Sequence, residues 1–202
     1  MIKGGRQVAT NIAGIRDDCV SRYRFAAREA VRIGATRIAD VGAGIGYGSW
    51  LMARETDADV CGYEIDTGAV AFGDLHYVHP RVTLHEADIV TTPLPCVDLM
   101  VAFEILEHIQ EAPAVLARAV KCADVLVGSV PNEAVIPFDP ARPRYHVRHY
   151  TPAEIRDELE AAGWIVTFFG GQAGNHKTEA AVIGSTQGAR TLVFIARSGS
   201  QC

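Results

Sequence analysis

Short apolar runs recur along the chain and alternate with longer segments in which apolar residues return every three or four positions. The short runs have the length of buried strands, and the longer segments have the period of amphipathic helices. The predicted strands are Arg37–Val41, Val60–Tyr63, Val82–His85, Asp98–Phe103, Val125–Val130, Trp164–Phe169 and Leu192–Ala196. The predicted helices are Cys19–Ile33, Gly48–Glu55, Ala69–Tyr77, Ala112–Ala123 and a capped helix from Thr151 to Gly163.

This alternation predicts an α/β fold, a doubly wound and mostly parallel seven-stranded sheet with helices on both faces. The connection 170–190 has no helical period, so we expect the last strand to run antiparallel to the others. Ligands of such sheets bind at the carboxyl ends of the strands, where the strand order reverses. We expect the site of this chain at that edge.

We interpret residues 1–202 as one domain. Residues 1–20 form a polar N-terminal arm, and the segment 132–150 contains Pro137, Pro140 and Pro143, which disfavour regular structure. Because this segment follows the carboxyl end of a strand, we predict an irregular loop that covers the active site.

Composition narrows the classes of function. The net charge of −5 gives no overall positive field for nucleic acid and leaves only a local basic patch as a route to RNA. The five cysteines form no C-x-x-C pair, and no secretory signal or membrane-spanning run is visible. A cytoplasmic protein without a membrane partner is expected.

The junction of the first strand and its helix is rich in glycine: residues 40–48 read D-V-G-A-G-I-G-Y-G. Glycines at such a turn let the backbone approach a ligand closely. The spacing is not the G-x-G-x-x-G of dinucleotide sites, because Tyr47 stands where the third glycine would be. An NAD-dependent oxidoreductase is therefore disfavoured.

This turn resembles motif I of class I S-adenosylmethionine-dependent methyltransferases. Three further features match in the same order: Glu64 after the second strand, Asp88 after the third, and the fourth strand ending at Glu104. The resemblance implies a Rossmann-like methyltransferase fold in which Glu64 accepts hydrogen bonds from the ribose hydroxyls and Asp88 holds the adenine amino group. It implies S-adenosylmethionine as the cofactor, bound by Tyr23, Asp40, Gly42, Ala43, Gly44, Gly46, Tyr47, Glu64, Ile65, Asp88, Ile89, Phe103 and Glu104.

The stretches 22–26, 46–49 and 129–132 resemble a bacterial subgroup often associated with sugar or small-metabolite modification. The resemblance implies a small-molecule or sugar-like acceptor. A methyl sulfonium is already activated, so the protein must align a nucleophile with it and manage its proton.

The segment after the fourth strand carries three candidate chemical groups. If a helix begins there, Glu104, Glu107 and His108 stand at i, i+3 and i+4 and share one face. Two carboxylates and an imidazole suit a divalent cation. A fourth ligand would come from the cover, where His146 and His149 are the candidates.

The E-x-x-E-H spacing is similar to that of metal-dependent O-methyltransferases, among them small-RNA 3′-terminal 2′-O-methyltransferases and ubiquinone-biosynthesis O-methyltransferases. In the RNA enzymes a histidine lies five residues before the threonine of a W-T pair; here His146 lies five before Thr151, and Tyr150 replaces the tryptophan. The resemblance implies a divalent metal (Mg, Mn or Zn) that binds the acceptor hydroxyl. Its implied ligands are Glu104, Glu107, His108 and His146.

The same motif also occurs in methyltransferases for which no metal is implied. Without a metal, His146 or His149 would act as the general base, because histidine titrates near neutral pH. Arg144 and Arg148 could receive an anionic group of the acceptor. The candidate catalytic residues are Glu104, His108, His146 and His149.

We therefore expect a methyltransferase that acts on oxygen, or on nitrogen, of a small-molecule or sugar-like acceptor. Two alternatives stay open: a metal-dependent RNA 2′-O-methyltransferase, and a catalytically silent binding module with the cofactor fold. The oligomeric state is left open.

Overall fold

The computed structural model describes residues 7–141 and 145–199. Seven strands form one sheet in the order β3-β2-β1-β4-β5-β7-β6. Their bounds are β1 Arg37–Val41, β2 Asp59–Glu64, β3 Val82–Glu86, β4 Val97–Phe103, β5 Ala123–Pro131, β6 Trp164–Gln172 and β7 Thr191–Ser198. The first five strands pair in parallel, and β7 pairs antiparallel with both β5 and β6. The predicted fold class, with its antiparallel last strand, is confirmed.

Five α-helices accompany the sheet. They are α1 Asp17–Ile33, α2 Tyr47–Glu55, α3 Thr67–His76, α4 Ala112–Ala119 and α5 Pro152–Ala161. Helix α5 begins at a complete capping box, in which the Thr151 hydroxyl accepts a hydrogen bond from the Glu154 N–H and the Glu154 carboxylate accepts one from the Thr151 N–H. None of the helices in these two described stretches is long and apolar enough to cross a membrane.

Alternate residues of the central strands face opposite hydrophobic cores. Ile38, Leu99 and Val101 point to the face covered by α1 and α2. Their neighbours Ala39 and Met100 point to the face covered by α4 and α5. A period of two along each strand thus buries both faces of the sheet, as a doubly wound fold requires.

Strand β1 is flanked by β2 on one side and by β4 on the other, so the chain order reverses there. The carboxyl ends of β1, β2 and β4 consequently meet along one edge of the sheet. The glycine-rich turn, Glu64 and Glu104 all follow these ends, and a crevice at this edge is where the fold binds its ligands.

Two local predictions are wrong. Helix α4 ends at Ala119 rather than Ala123, because β5 already begins at Ala123. No α-helix begins at Glu104: its backbone is left-handed, with φ of 51°, and only one 3-10 turn follows, over Leu106–His108. The chain leaves β4 through a sharp turn, so Glu104 cannot share a helix face with Glu107 and His108.

The two predicted flanking segments have more structure than an arm and a loop suggest. Helix α1 starts at Asp17, inside the predicted arm 1–20, and residues 1–6 lie outside the described residues. In 133–141 and 145–149 there is no helix or strand, but Asn132 pairs with Tyr150 in a parallel bridge that closes the base of this segment. Arg144 lies outside the described residues.

Candidate active site

The glycine-rich turn has a backbone that only glycine adopts without strain. Gly42, Gly44 and Gly46 have φ of 75°, 57° and 77°. The Gly42 and Ala43 N–H groups both donate to the Tyr63 carbonyl, at 2.9 and 3.1 Å, so β2 fixes the shape of the turn. The turn forms the floor of a cavity of about 1280 Å³.

The predicted acid, Glu64, is the last residue of β2. Glu64 is buried, and its Oε2 accepts a hydrogen bond from the Gly44 N–H at 3.0 Å while its Oε1 accepts one from the Asp66 N–H at 2.9 Å. Glu64 and Ile65 line both the large cavity and a second one of about 320 Å³.

The second cavity is lined by an acid and by apolar residues that follow β3. Asp88 and Ile89 line it, together with the half-buried Ala87 and Val90. Asp88 is held in place by a hydrogen bond that its Oδ1 accepts from the Val90 N–H at 2.9 Å. The two cavities share Gly42, Glu64, Ile65, Ile105 and His108, so they form one elongated cleft with Asp88 near one end.

Aromatic residues line the other end of the cleft. Tyr23, Tyr47 and Phe103 all line the large cavity, and the Tyr23 ring lies edge-on to both, with centroid distances of 5.4 and 5.1 Å. The Tyr23 hydroxyl donates to Asp40 Oδ1 at 3.1 Å. Asp40 is therefore linked to the cleft indirectly, through its hydrogen bond with Tyr23.

Asp40 itself lines neither cavity. It is fully buried behind the turn, where its Oδ2 also accepts a hydrogen bond from the Ser49 hydroxyl at 2.7 Å. Burial raises the pKa of its carboxyl to about 6. The hydrogen bonds from the two hydroxyl groups lower this pKa and so offset part of the effect of burial. The sequence motif identifies Asp40 as a cofactor residue; in the structure it supports the cofactor cleft from behind.

Three candidate metal ligands come together at the rim of the large cavity. One potential ligand atom each of Glu107, His108 and His146 lies within 4.8 Å of the other two. The two histidines line the cavity, and Glu107 lies behind them, 1% exposed. Glu104, also predicted as a ligand, is not a member of this group; it lines the cavity separately, and its Oε1 accepts a hydrogen bond from the Ser129 hydroxyl at 2.9 Å.

Hydrogen bonds to carbonyl groups define the proton positions on these histidines. A carbonyl oxygen only accepts, so His149 Nδ1, 2.6 Å from the Ile136 carbonyl, carries a proton. In neutral His149 the Nε2 atom then accepts from His146 Nδ1 at 2.7 Å. By the same reasoning His108 Nδ1 donates to the Tyr145 carbonyl at 2.9 Å. The Nε2 atoms of His108 and His146 are therefore left with lone pairs.

Burial shifts the ionisation of two members of the group. Neither carboxylate oxygen of Glu107 has a hydrogen-bond partner within the described part of the chain. Burial, together with the charge of Glu104, raises the pKa of Glu107 well above its usual range. Burial and the neighbouring His108 and His149 lower the pKa of His146 to about 4, so His146 is neutral at pH 7. His149 lines neither cavity, and its Nε2 atom contacts His146 Nδ1.

Residues 38–125 match the family described as a methyltransferase domain. The matched stretch holds the glycine-rich turn, Glu64, Asp88 and Glu104, and it is a methyltransferase domain of the S-adenosylmethionine-dependent class. Solved methyltransferase structures share its fold. Magnesium protoporphyrin IX methyltransferase (ChlM) from Synechocystis PCC 6803, with bound S-adenosylhomocysteine, is 19% identical, has a TM-score of 0.69 and aligns over 98% of this methyltransferase and 91% of that chain.

Two other solved structures are similar to this chain. The N-terminal domain of EvdMO1, in the presence of S-adenosylhomocysteine and D-fucose, is 21% identical with a TM-score of 0.64, over 88% of this chain and 83% of that one. The methyltransferase domain of bacterial CtHen1-C is 15% identical with a TM-score of 0.68, over 91% and 100%. No curated protein matches this methyltransferase. The predicted family and cofactor are confirmed; the individual site residues stay predictions.

Two features of the site had no clear sequence signal. One is the left-handed backbone of Tyr145, with φ of 70°, which directs its carbonyl toward His108. Such strain in a residue other than glycine clusters at functional sites. The other is the buried Arg22, which lines the large cavity although the sequence presents it as one arginine among several in α1.

Proposed function

We propose that this methyltransferase transfers a methyl group to a hydroxyl oxygen of a small, sugar-like acceptor, with a divalent cation held by Glu107, His108 and His146. The observation that carries the proposal is the convergence of these three side chains beside the cofactor cleft. The presence of D-fucose with the similar EvdMO1 domain supports a sugar-like acceptor.

The donor set fits a cation. A buried carboxylate with two unpartnered oxygens is unfavourable unless a positive charge or hydrogen-bond donors compensate it. The two imidazoles offer Nε2 lone pairs because their Nδ1 protons are already engaged. A carboxylate and two neutral imidazoles suit Zn²⁺ or Mn²⁺ better than Mg²⁺, which prefers oxygen ligands.

The bound cation would lower the pKa of an acceptor hydroxyl and so favour its nucleophilic form. S-adenosylmethionine supplies a methyl group already activated by its sulfonium. The protein then has to hold the acceptor oxygen in line with that methyl group at the junction of the cleft and the histidines. His146, bonded to His149, is better suited as a ligand than as a general base, since a base works best with a pKa near the operating pH.

The experiment that tests this proposal is calorimetry of Mn²⁺, Zn²⁺ and Mg²⁺ binding to the wild type and to Glu107→Gln and His146→Ala. We expect each variant to weaken binding of the preferred cation by at least about 10-fold, as losses at metal sites do. His176→Ala is the matched control, because His176 is exposed in the 173–190 connection. Methyl transfer to hydroxyl-bearing sugars should fall in parallel.

A loss of activity in Glu107→Gln with an unchanged cation affinity would contradict the shared metal site. Unchanged cation affinity in both variants would leave His146 as a base or as a purely structural residue.

The four described cysteines are all free, in keeping with the predicted cytoplasmic location.

A second candidate function is 2′-O-methylation of RNA. The similarity of the E-x-x-E-H motif to that of small-RNA 2′-O-methyltransferases favours it, and the net charge of −5 disfavours it. A ribose hydroxyl would meet the same three side chains. Transfer to a short single-stranded RNA but to no free sugar would make this second candidate the function.

A further inference from the structure

His149 is a nearly buried histidine that contacts the proposed cation site without lining the cleft. Its side chain is 9% exposed and lines neither cavity. Its Nε2 atom lies 2.7 Å from Nδ1 of His146, one of the three proposed ligands. A histidine that binds a metal through one ring nitrogen donates the proton of the other to a fixed acceptor, which sets its tautomer and its orientation. His149 lies where that acceptor is needed.

A backbone carbonyl determines which nitrogen of His149 can serve as the acceptor. His149 Nδ1 lies 2.6 Å from the Ile136 oxygen, which only accepts, so Nδ1 carries the proton and Nε2 of the neutral ring keeps a lone pair. This lone pair accepts the Nδ1 proton of His146. The Nε2 atom of His146 is then free of a proton, as a metal ligand must be.

The Ile136 carbonyl is itself held by the turn that follows β5. Asn132 is 1% exposed, and its carbonyl accepts hydrogen bonds from the N–H groups of Val135 and Ile136 at 3.0 and 2.8 Å. The Asn132 side chain accepts a hydrogen bond from the Ala134 N–H at 3.1 Å and donates one to the Ala189 carbonyl at 2.7 Å. Contacts within the protein therefore set the direction of the Ile136 carbonyl without any ligand.

Two further residues of this turn enclose the His149 ring. The Phe138 ring lies edge-on to it, with a centroid distance of 5.6 Å. The Glu133 carboxylate lies 3.8 Å from His149 Nδ1 and accepts a hydrogen bond from the Phe138 N–H at 2.8 Å. A flipped His149 ring would place a carbon atom against the Ile136 oxygen and lose that hydrogen bond. The observed orientation is thus the one in which both ring nitrogens have partners.

The other tautomer of His146 would disable the cation site. Neither carboxylate oxygen of Glu107 has a hydrogen-bond partner within 7–141 and 145–199, and a potential ligand atom of His146 lies within 4.8 Å of this carboxylate. A proton on Nε2 of His146 would be attracted to the buried carboxylate and would compete with a cation there. The site therefore needs a group that keeps the proton on Nδ1.

We propose that His149 is a positioning residue, which keeps the proton of His146 on Nδ1 and so directs the Nε2 lone pair to the cation shared with Glu107 and His108. The turn 132–138 would act with it, because it holds the His149 ring. This inference rests on the proposed function, since it assumes that the three side chains bind a cation.

The first test compares two substitutions of His149 that differ only in hydrogen bonding. In His149→Gln the side-chain oxygen can accept the proton of His146 Nδ1, whereas His149→Phe has a similar ring but no acceptor. Calorimetry with Mn²⁺ and Zn²⁺ should show an affinity about 10- to 100-fold lower for His149→Phe, the range for losing the outer partner of a metal ligand. His149→Gln should retain most of the affinity. His176→Phe is the matched control, because His176 is exposed.

The second test needs no cation. It uses ¹⁵N NMR of the labelled protein in EDTA at neutral pH, in which a ring nitrogen with a proton is distinguished from one with a lone pair. His146 should carry its proton on Nδ1 in the wild type and in His149→Gln, and should shift toward the Nε2 form in His149→Phe. A purely structural role of His149 would lower stability without changing this tautomer.

Three results would overturn the proposal: a proton on Nε2 of His146 in the wild type, the same His146 tautomer in His149→Phe as in the wild type, or an unchanged cation affinity in His149→Phe. The first of these is measured even if His149→Phe does not fold. If the wild type binds no cation, the proposed metal site fails, and the tautomer of His146 alone then decides whether His149 positions it.

Discussion

Individual buried polar residues set the properties of this site more than its exposed ones do. Asp40, Glu107 and Arg22 are each less than 5% exposed. Asp40 accepts hydrogen bonds from two hydroxyl groups, and the side-chain oxygens of Glu107 have no hydrogen-bond partner among the described residues. The positive charge of Arg22 lies 3.6 Å from the carboxylate of Asp18. Buried groups of this kind reduce stability, and they persist where they serve a ligand.

Asp40 gives a pH-dependent prediction. Its pKa is raised by burial to about 6 in the folded protein, so between about pH 4 and pH 6 the folded state binds more protons than the unfolded state. The free energy of unfolding of the wild type should therefore fall, relative to Asp40→Asn, as pH rises through this window. A shift of this size corresponds to about 3 kcal/mol, reached above pH 6.

Urea unfolding of both proteins from pH 4 to pH 7 checks this, with Asp74→Asn, an exposed carboxyl of α3, as the control. A pH-independent difference between the wild type and Asp40→Asn would show that Asp40 titrates alike in both states.

At the scale of elements, one tightly packed contact joins α1 to α2. A β-carbon added at Gly48 would lie 1.9 Å from the Tyr23 ring, which cannot move freely because Asp40, Tyr47 and Phe103 hold it. The first turn of α2 therefore needs a glycine even though its backbone is helical.

Gly48→Ala should lower both stability and cofactor affinity. Alanine improves helix propensity by up to about 1 kcal/mol, but overpacking costs about 1–3 kcal/mol, so the clash should prevail. Binding of S-adenosylhomocysteine should weaken because the displaced Tyr23 lines the cleft. Thermal unfolding and calorimetry measure both effects. Gly184→Ala, where the nearest atom is 4.0 Å from the added carbon, should change neither, and a neutral Gly48→Ala would contradict the packing argument.

The elements were predictable where the signal is local. Apolar runs place all seven strands, and the glycine spacing places the turn, because each depends on neighbouring residues. The prediction of a helix after β4 was wrong because the E-x-x-E-H spacing also fits a helical period. The left-handed backbone of Glu104 has no signature in the sequence. Arg22 and Gln172 are 150 residues apart, so their contact depends on tertiary structure alone.

At the scale of the whole molecule, the cleft is lined by residues of α1, by residues at the carboxyl ends of β1 to β4 and by the segment 145–147. A ligand bound there contacts parts of the chain that are far apart in sequence. Binding should therefore stabilise the sheet as a unit rather than one lobe of it.

S-adenosylhomocysteine at 100 times its dissociation constant should raise the free energy of unfolding by about 2.7 kcal/mol. For a chain of this length that corresponds to roughly 5–10 °C in melting temperature, within a single transition. Differential scanning calorimetry measures it, and NAD at the same concentration should have no effect. Two separate transitions, with only one shifted, would contradict a cooperative sheet.

The position of β7 has a consequence for synthesis. Although it is the last strand in sequence, it lies between β5 and β6 and is the neighbour with which β6 pairs. A ribosome therefore delivers β6, with the Gln172 that accepts a hydrogen bond from Arg22, well before the strand that anchors it to the sheet. The parallel half can assemble early on the nascent chain, but the cofactor cleft gains its final shape only after residues 191–198 have left the exit tunnel.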